Sequence, residues 1–167
     1  EGLRDYGGAL SPFNAFQIIQ GLETLELRIL KHSKNALELA EWLQKRPEVK
    51  WVNYPGLKSS PFKHLSDKYL PKGQSGIVTF GVHGGYEAAK LIADTTKLFS
   101  LLANIGDTKS LIIHPASTTH QQLNAEQQER SGVTQDLVRL SVGLEDTEDL
   151  INDIKSALKK TAHLSVK

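Results

Sequence analysis

The sequence predicts an α+β fold, with one largely antiparallel sheet and helices packed on one of its faces. Short apolar runs with the alternation of strands are interleaved with longer segments whose apolar residues recur at helical spacing. These elements follow no strict strand–helix–strand repeat, which argues against a parallel sheet. The 167 residues are enough for one domain with a buried core. We therefore predict a single domain over 1–167, with an N-terminal loop and long linking helix over 1–45 and a sheet-and-helix body over 46–167.

Caps and apolar periodicity place the helices. Ser11 followed by a proline is typical of a helix start, and apolar residues then recur at helical spacing to about Lys45, just before another proline. Such a helix is long for a globular domain, so we expect a bend near Gly21 or within 31–34. Asp146 is the expected cap of the last helix. The remaining helices are predicted over 59–70, 86–96, 123–130 and 146–160.

Apolar runs bounded by turn residues place the strands. They cover residues 49–54, 76–82, 99–105, 111–114 and 137–142. In the last run, alternation puts Val138, Leu140 and Val142 on one face and Arg139 on the other. If the helices cover the Val/Leu/Val face, Arg139 projects from the open face of the sheet.

Composition excludes several classes of function. With 20 basic and 19 acidic residues, the net charge of +1 argues against a nucleic-acid partner or a basic membrane-surface protein. No run approaches the ~18 apolar residues of a membrane span, and the polar start shows no signal peptide, so we expect a cytoplasmic protein. There is no cysteine for disulfide or thiolate chemistry. The absence of methionine, even at position 1, favours a piece of a longer protein.

Arg139 is the first candidate for a functional residue. A guanidinium in an apolar strand is costly unless an anion meets it, and its planar fork matches the two oxygens of a carboxylate. The same spacing fits a solvated strand arginine or a structural ion pair. The residue pattern alone leaves these alternatives open.

Two other segments contain groups suited to a binding site. Asn104-Ile105-Gly106-Asp107 is a turn signal whose backbone N–H groups would suit an anion, although a plain hairpin turn explains it as well. His114 and His120 match no common zinc spacing, so we expect them to fix a loop through hydrogen bonds rather than bind a metal. The hydroxyls that precede His120, including that of Thr119, would either orient Arg139 or satisfy backbone groups.

Several of these strings, taken in chain order, resemble the C-terminal domain of the Cys/Met-metabolism family of pyridoxal-phosphate (PLP) enzymes. The resemblance extends over nearly the whole chain. Leu102–Asp107 and Ser117–His120 are most similar to the O-acetylhomoserine sulfhydrylases of that family. A cystathionine γ-synthase or γ-lyase is the alternative within the family, and a non-enzymatic α+β interaction module is the alternative outside it. The matching strings are residues 11–28, 54–57, 76–80, 102–107, 114–120 and 137–146.

The resemblance implies roles for three residues. Arg139 matches the family arginine that grips the α-carboxylate of the substrate. Asn104 stands where the family usually has a serine, in a loop that also contacts this carboxylate. Thr119 matches the threonine that orients the arginine.

The resemblance also implies the activity and partners of the whole protein. It implies a homotetrameric, PLP-dependent transferase of the fold-type I class that makes homocysteine from the small amino acid O-acetylhomoserine and sulfide, by γ-replacement. The lysine and the other groups that hold PLP lie in a large upstream domain, which is absent from this chain. We therefore expect no catalytic, cofactor-binding or metal-binding residue here. This chain alone should hold no PLP and show no activity.

Overall fold

The computed structural model describes residues 2–164, so residues 1 and 165–167 of the predicted domain lie outside the described range. Short 3₁₀ turns span Pro115–Ser117 and Ala162–Leu164. The helices are α1 (Gly2–Tyr6), α2 (Pro12–Glu23), α3 (Leu25–Leu43), α4 (Lys63–Tyr69), α5 (Gly85–Thr95), α6 (Ala125–Arg130) and α7 (Thr147–Lys160). The strands are β1 (Val49–Asn53), β2 (Ile77–Val82), β3 (Ser100–Leu101), β4 (Leu111–Ile113) and β5 (Leu137–Ser141).

The sheet confirms the predicted α+β fold. Within residues 2–164, five strands lie in the order β1-β2-β5-β4-β3. The pairs β1–β2, β2–β5 and β5–β4 are antiparallel, whereas β3 and β4 are parallel. The predicted strand over 99–105 is wrong beyond Leu101, and the turn at 104–107 is not a hairpin turn, because a hairpin joins antiparallel strands.

Helices α3, α5 and α7 cover one face of the sheet, as predicted. Val138 and Leu140 are 0% exposed and Val142 is 1% exposed, so the Val/Leu/Val face of β5 lies in the core. Arg139 is only half-buried and lies on the opposite face. Strand alternation therefore predicted its direction correctly.

The N-terminal part differs from the prediction in two ways. Residues 2–6 form the short helix α1, where a loop was predicted. The long helix is divided at Thr24, three residues beyond Gly21, while the 31–34 region stays helical. The guanidinium of Arg28 bridges the break, since it donates to Gly21 O at 2.6 Å and to Thr24 Oγ1 at 3.3 Å. These local hydrogen bonds do not change the spacing of the apolar residues. The sequence pattern therefore located the bend only approximately.

Helix α2 packs none of its residues into the core. Its apolar side chains, together with those of the first half of α3, lie largely in solvent. We call these exposed side chains the apolar α2–α3 surface, and its members are Phe13, Phe16, Ile18, Ile19, Leu22, Leu25, Leu27, Ile29 and Leu30.

No helix within residues 2–164 combines the length and apolar character needed to cross a membrane.

Candidate functional site

Arg139 lies on the sheet face opposite the Val/Leu/Val face, and its guanidinium has no ion-pair partner among the described residues. Its strand neighbours are Thr79 on β2 and Ile113 on β4. Its Nη2 donates one hydrogen bond, 3.3 Å long, to the backbone oxygen of Asn104. Among residues 2–164 no carboxylate lies within ion-pair distance of this guanidinium. The structural ion pair considered above therefore finds no partner in the described chain.

Asn104 meets Arg139 through its backbone and not through its side chain. The side-chain Oδ1 accepts a hydrogen bond from Ile105 N at 2.8 Å, which leaves the carbonyl free to face the guanidinium. Gly106 has φ of 79°, a left-handed conformation that glycine adopts at no steric cost and that turns the loop back toward β4. The contact uses the main chain, so it does not depend on the side chain of residue 104.

Thr119 does not contact Arg139 in this structure. Its hydroxyl is 2.9 Å from His120 Nδ1, and the side chain is exposed. Asn104 O is the group that holds the guanidinium instead. The orienting role of Thr119 therefore stays a prediction.

His114 is a buried structural histidine. Its Nε2 lies 3.0 Å from the carbonyl oxygen of Gln135, and its Nδ1 lies 2.8 Å from Ser117 Oγ. A carbonyl only accepts, so Nε2 must carry the proton, and Nδ1 of the neutral ring accepts from the hydroxyl. Burial lowers the pKa of His114, an effect that outweighs the opposing hydrogen bond to Gln135 O and the charges nearby. His114 thus fixes its loop through hydrogen bonds, as predicted.

The lowered pKa of His114 predicts a pH-dependent stability. The unfolded chain binds the proton more readily than the folded one, so this contribution to stability is present above pH 6.5 and is lost as the pH falls below it. Denaturant midpoints at pH about 7.5 and about 5.5 should show a loss at the lower pH that His114→Gln reduces. His64→Gln, at an exposed position, should keep the full loss. An equal loss in the His114 variant would contradict this account.

Metal and cofactor ligands are not evident in this part of the protein. Among the described residues, no three histidine, cysteine, aspartate or glutamate side chains cluster as a metal site requires. A lysine that forms a Schiff base is activated by desolvation or a cationic neighbour, yet every lysine within 2–164 is at least partly exposed. These described residues do not fit a PLP site on their own.

One part of the site was not predicted from the sequence. Buried Ser110 binds the carboxylate of Glu145 through both its backbone N–H and its hydroxyl. The two residues are far apart in sequence, and no spacing rule connects them. The one sequence signal was the position of Glu145: it directly precedes the cap Asp146, and the capping of α7 does not need a second acidic residue there.

Within the described residues, this α+β domain has an arginine that lacks an ion-pair partner and lies beside a backbone carbonyl, and helices whose apolar side chains are uncovered. The family model described as Cys/Met metabolism PLP-dependent enzyme matches residues 2–159. The chain belongs to this family, which confirms the resemblance seen in the sequence.

Two similar proteins are both named as O-acetyl-L-homoserine sulfhydrylases. The chain is 58% identical over 160 residues to the O-acetyl-L-homoserine sulfhydrylase of Leptospira meyeri, covering 95% of this chain and 36% of that protein. It is 52% identical over 158 residues to O-acetyl-L-homoserine sulfhydrylase 1 of Thermus thermophilus, covering 95% of this chain and 38% of that protein.

A solved structure shares the fold. It is a putative O-acetylhomoserine (thiol)-lyase from Campylobacter jejuni containing N'-pyridoxyl-lysine-5'-monophosphate, with a TM-score of 0.85 and 50% identity over 94% of this chain and 37% of that one. The chain thus spans little more than a third of the length of these relatives.

Proposed function

We propose that this chain supplies the carboxylate-binding part of the amino-acid site in a PLP-dependent O-acetylhomoserine sulfhydrylase. The observation that carries the proposal is the unpaired guanidinium of Arg139 beside Asn104 O, in a chain whose relatives bear that name. The whole enzyme replaces the acetate of O-acetylhomoserine with sulfide and yields homocysteine. Acetate leaves with the electrons of its C–O bond, and the sulfur of sulfide donates the pair that forms the new C–S bond.

Arg139 binds and orients the substrate. Its planar guanidinium donates to both oxygens of the α-carboxylate, and Asn104 O lies beside it as a further acceptor. PLP, held by the remainder of the enzyme, supplies the electron sink for bond changes on the amino acid. Arg139 fixes the carboxylate end of the amino acid, so that the reactive carbons of the substrate keep one position. Such orientation contributes several kcal/mol, up to roughly 7–11 kcal/mol in ideal cases.

The remainder of the protein is proposed to cover the apolar α2–α3 surface. Phe13 is 67% exposed and Leu27 is 70% exposed, values typical of side chains that await a packing partner. The cofactor-binding domain is the partner that the family implies. The homotetramer, the cytoplasmic location and the inactivity of this chain alone remain part of the same proposal.

A comparison of substrates in the full-length enzyme tests the proposal. We expect kcat/KM for O-acetylhomoserine with sulfide to exceed that for cystathionine by about 10²-fold or more, because specificity depends on contacts to the leaving group as well as to the carboxylate. Acetate release without sulfide is the control for uncoupled turnover. A preference for cystathionine would assign the chain to the γ-synthase or γ-lyase branch instead.

A further inference from the structure

Ser110 is fully buried and uses each of its polar groups to close one loop. Its backbone N–H donates to Glu145 Oε1 at 2.7 Å, and its hydroxyl donates to Glu145 Oε2 at 2.8 Å. The same hydroxyl accepts from Gly143 N at 2.7 Å, and the carbonyl accepts from Ser100 N at 3.0 Å. Both carboxylate oxygens of Glu145 are therefore committed to one residue.

These bonds anchor the loop that carries Asn104, which we call the Asn104 loop (residues 102–110). The Ser100–Ser110 hydrogen bond closes its base, and Leu144 N adds a second tie by donating to Thr108 O at 2.9 Å. The bond from Arg139 to Asn104 O is 3.3 Å long, beyond the usual range for N–H···O, so it is too weak to place the loop. The stronger hydrogen bonds of this loop are those at its base.

Helix α3 holds the other side of this arrangement. Asn35 is 0% exposed, and its Nδ2 donates to Gly143 O at 3.0 Å and to Glu145 O at 2.8 Å. Its Oδ1 accepts from Thr147 Oγ1 at 2.8 Å. The backbone of Glu145 is thereby fixed to the core, and its carboxylate reaches Ser110 from a rigid support.

We propose that Glu145 is a positioning residue for the substrate-carboxylate site. It fixes Ser110, and through Ser110 it fixes the Asn104 loop so that Asn104 O stays against Arg139. The inference rests on the proposed role of Arg139 in binding the carboxylate. An amide replaces the carboxylate poorly here: its oxygen can accept from Ser110 N, but its NH2 group can only donate to the Ser110 hydroxyl, whose own proton then loses its acceptor.

Glu145→Gln in the full-length holoenzyme tests this role. We expect the KM for O-acetylhomoserine to rise about 10-fold, while kcat and the KM for sulfide stay within about 3-fold, since binding geometry and not chemistry is disturbed. Amides of the Asn104 loop should exchange hydrogen faster, with α7 protection retained. Glu148→Gln is the matched control, because this side chain is exposed and lies in the first turn of α7, three residues after Glu145. This variant should match the wild type.

Each outcome is informative. An unchanged KM, with or without faster exchange in the Asn104 loop, overturns the positioning role. A fall in kcat at unchanged KM overturns it as well.

If Glu145→Gln does not fold, Ser110→Ala is the second variant. It removes only the hydroxyl bonds and should give the same pattern of KM changes with a smaller magnitude. Arg139→Ala separates the two proposals: if it leaves kcat/KM unchanged, the proposed function fails, whereas a lowered kcat/KM there with a normal Glu145 variant overturns only the role of Glu145.

Discussion

Arg139→Ala should lower kcat/KM of the full-length enzyme for its amino-acid substrate by about 10²–10⁴-fold. A hydrogen bond to a charged group contributes about 1.5–3 kcal/mol, so the two bonds of a bidentate pair amount to roughly 3–6 kcal/mol. Each ~1.4 kcal/mol corresponds to a factor of ten. The side chain is only half-buried and has no ion-pair partner in the described chain, so its loss should leave the fold intact.

Two further variants make this result specific. Arg139→Lys keeps the charge but loses the planar fork, and should recover only part of the activity. Arg130→Ala removes an exposed arginine that pairs with Glu126 on α6, and should match the wild type. Steady-state kinetics measure the effect, and unchanged PLP absorbance shows that the cofactor site is intact. Kinetics near wild type in Arg139→Ala would rule out the carboxylate role.

Local patterns explain which parts of the fold the sequence could predict. Alternation along β5 depends only on adjacent residues, and it gave the direction of Arg139 correctly. The cap of α7 was predicted for the same reason, since Asp146 accepts from Glu148 N two residues away. The parallel pairing of Ser100 with Leu111 depends on how a loop returns, which no local pattern specifies.

The site itself was predictable only where side-chain chemistry identifies it. A guanidinium in a strand is a visible anomaly, whereas the carbonyl of Asn104 is a group that every residue has. Its contact with Arg139 follows from where the Asn104 loop is held, and the anchor is Glu145, which lies outside that loop. Residues that act through backbone contacts at long range therefore needed the structure.

Gly143→Ala should lower the free energy of unfolding by about 3 kcal/mol or more. Gly143 does not have positive φ, so the requirement is for space and not for conformation. A Cβ would lie 2.5 Å from Thr108 O, 2.6 Å from the carbonyl carbon of Lys109 and 2.4 Å from Glu145 Oε2. Two of these atoms are backbone, which cannot rotate away. Overpacking of this kind costs about 1–3 kcal/mol, and each hydrogen bond that breaks as the strands separate adds about 1 kcal/mol.

Denaturant unfolding of the chain measures the effect, with Gly21→Ala as the matched control. A Cβ at Gly21 meets nothing within 4 Å, and that variant should gain about 0.5–1 kcal/mol because alanine favours the helix interior. The gap that Gly143 keeps open is the one through which Gly143 N reaches Ser110 and Leu144 N reaches Thr108. Gly143→Ala should therefore also raise the KM for O-acetylhomoserine in the full-length enzyme, as we expect for Glu145→Gln. A midpoint equal to the wild type would mean that the Asn104 loop moves freely against β5, and that its position is set elsewhere.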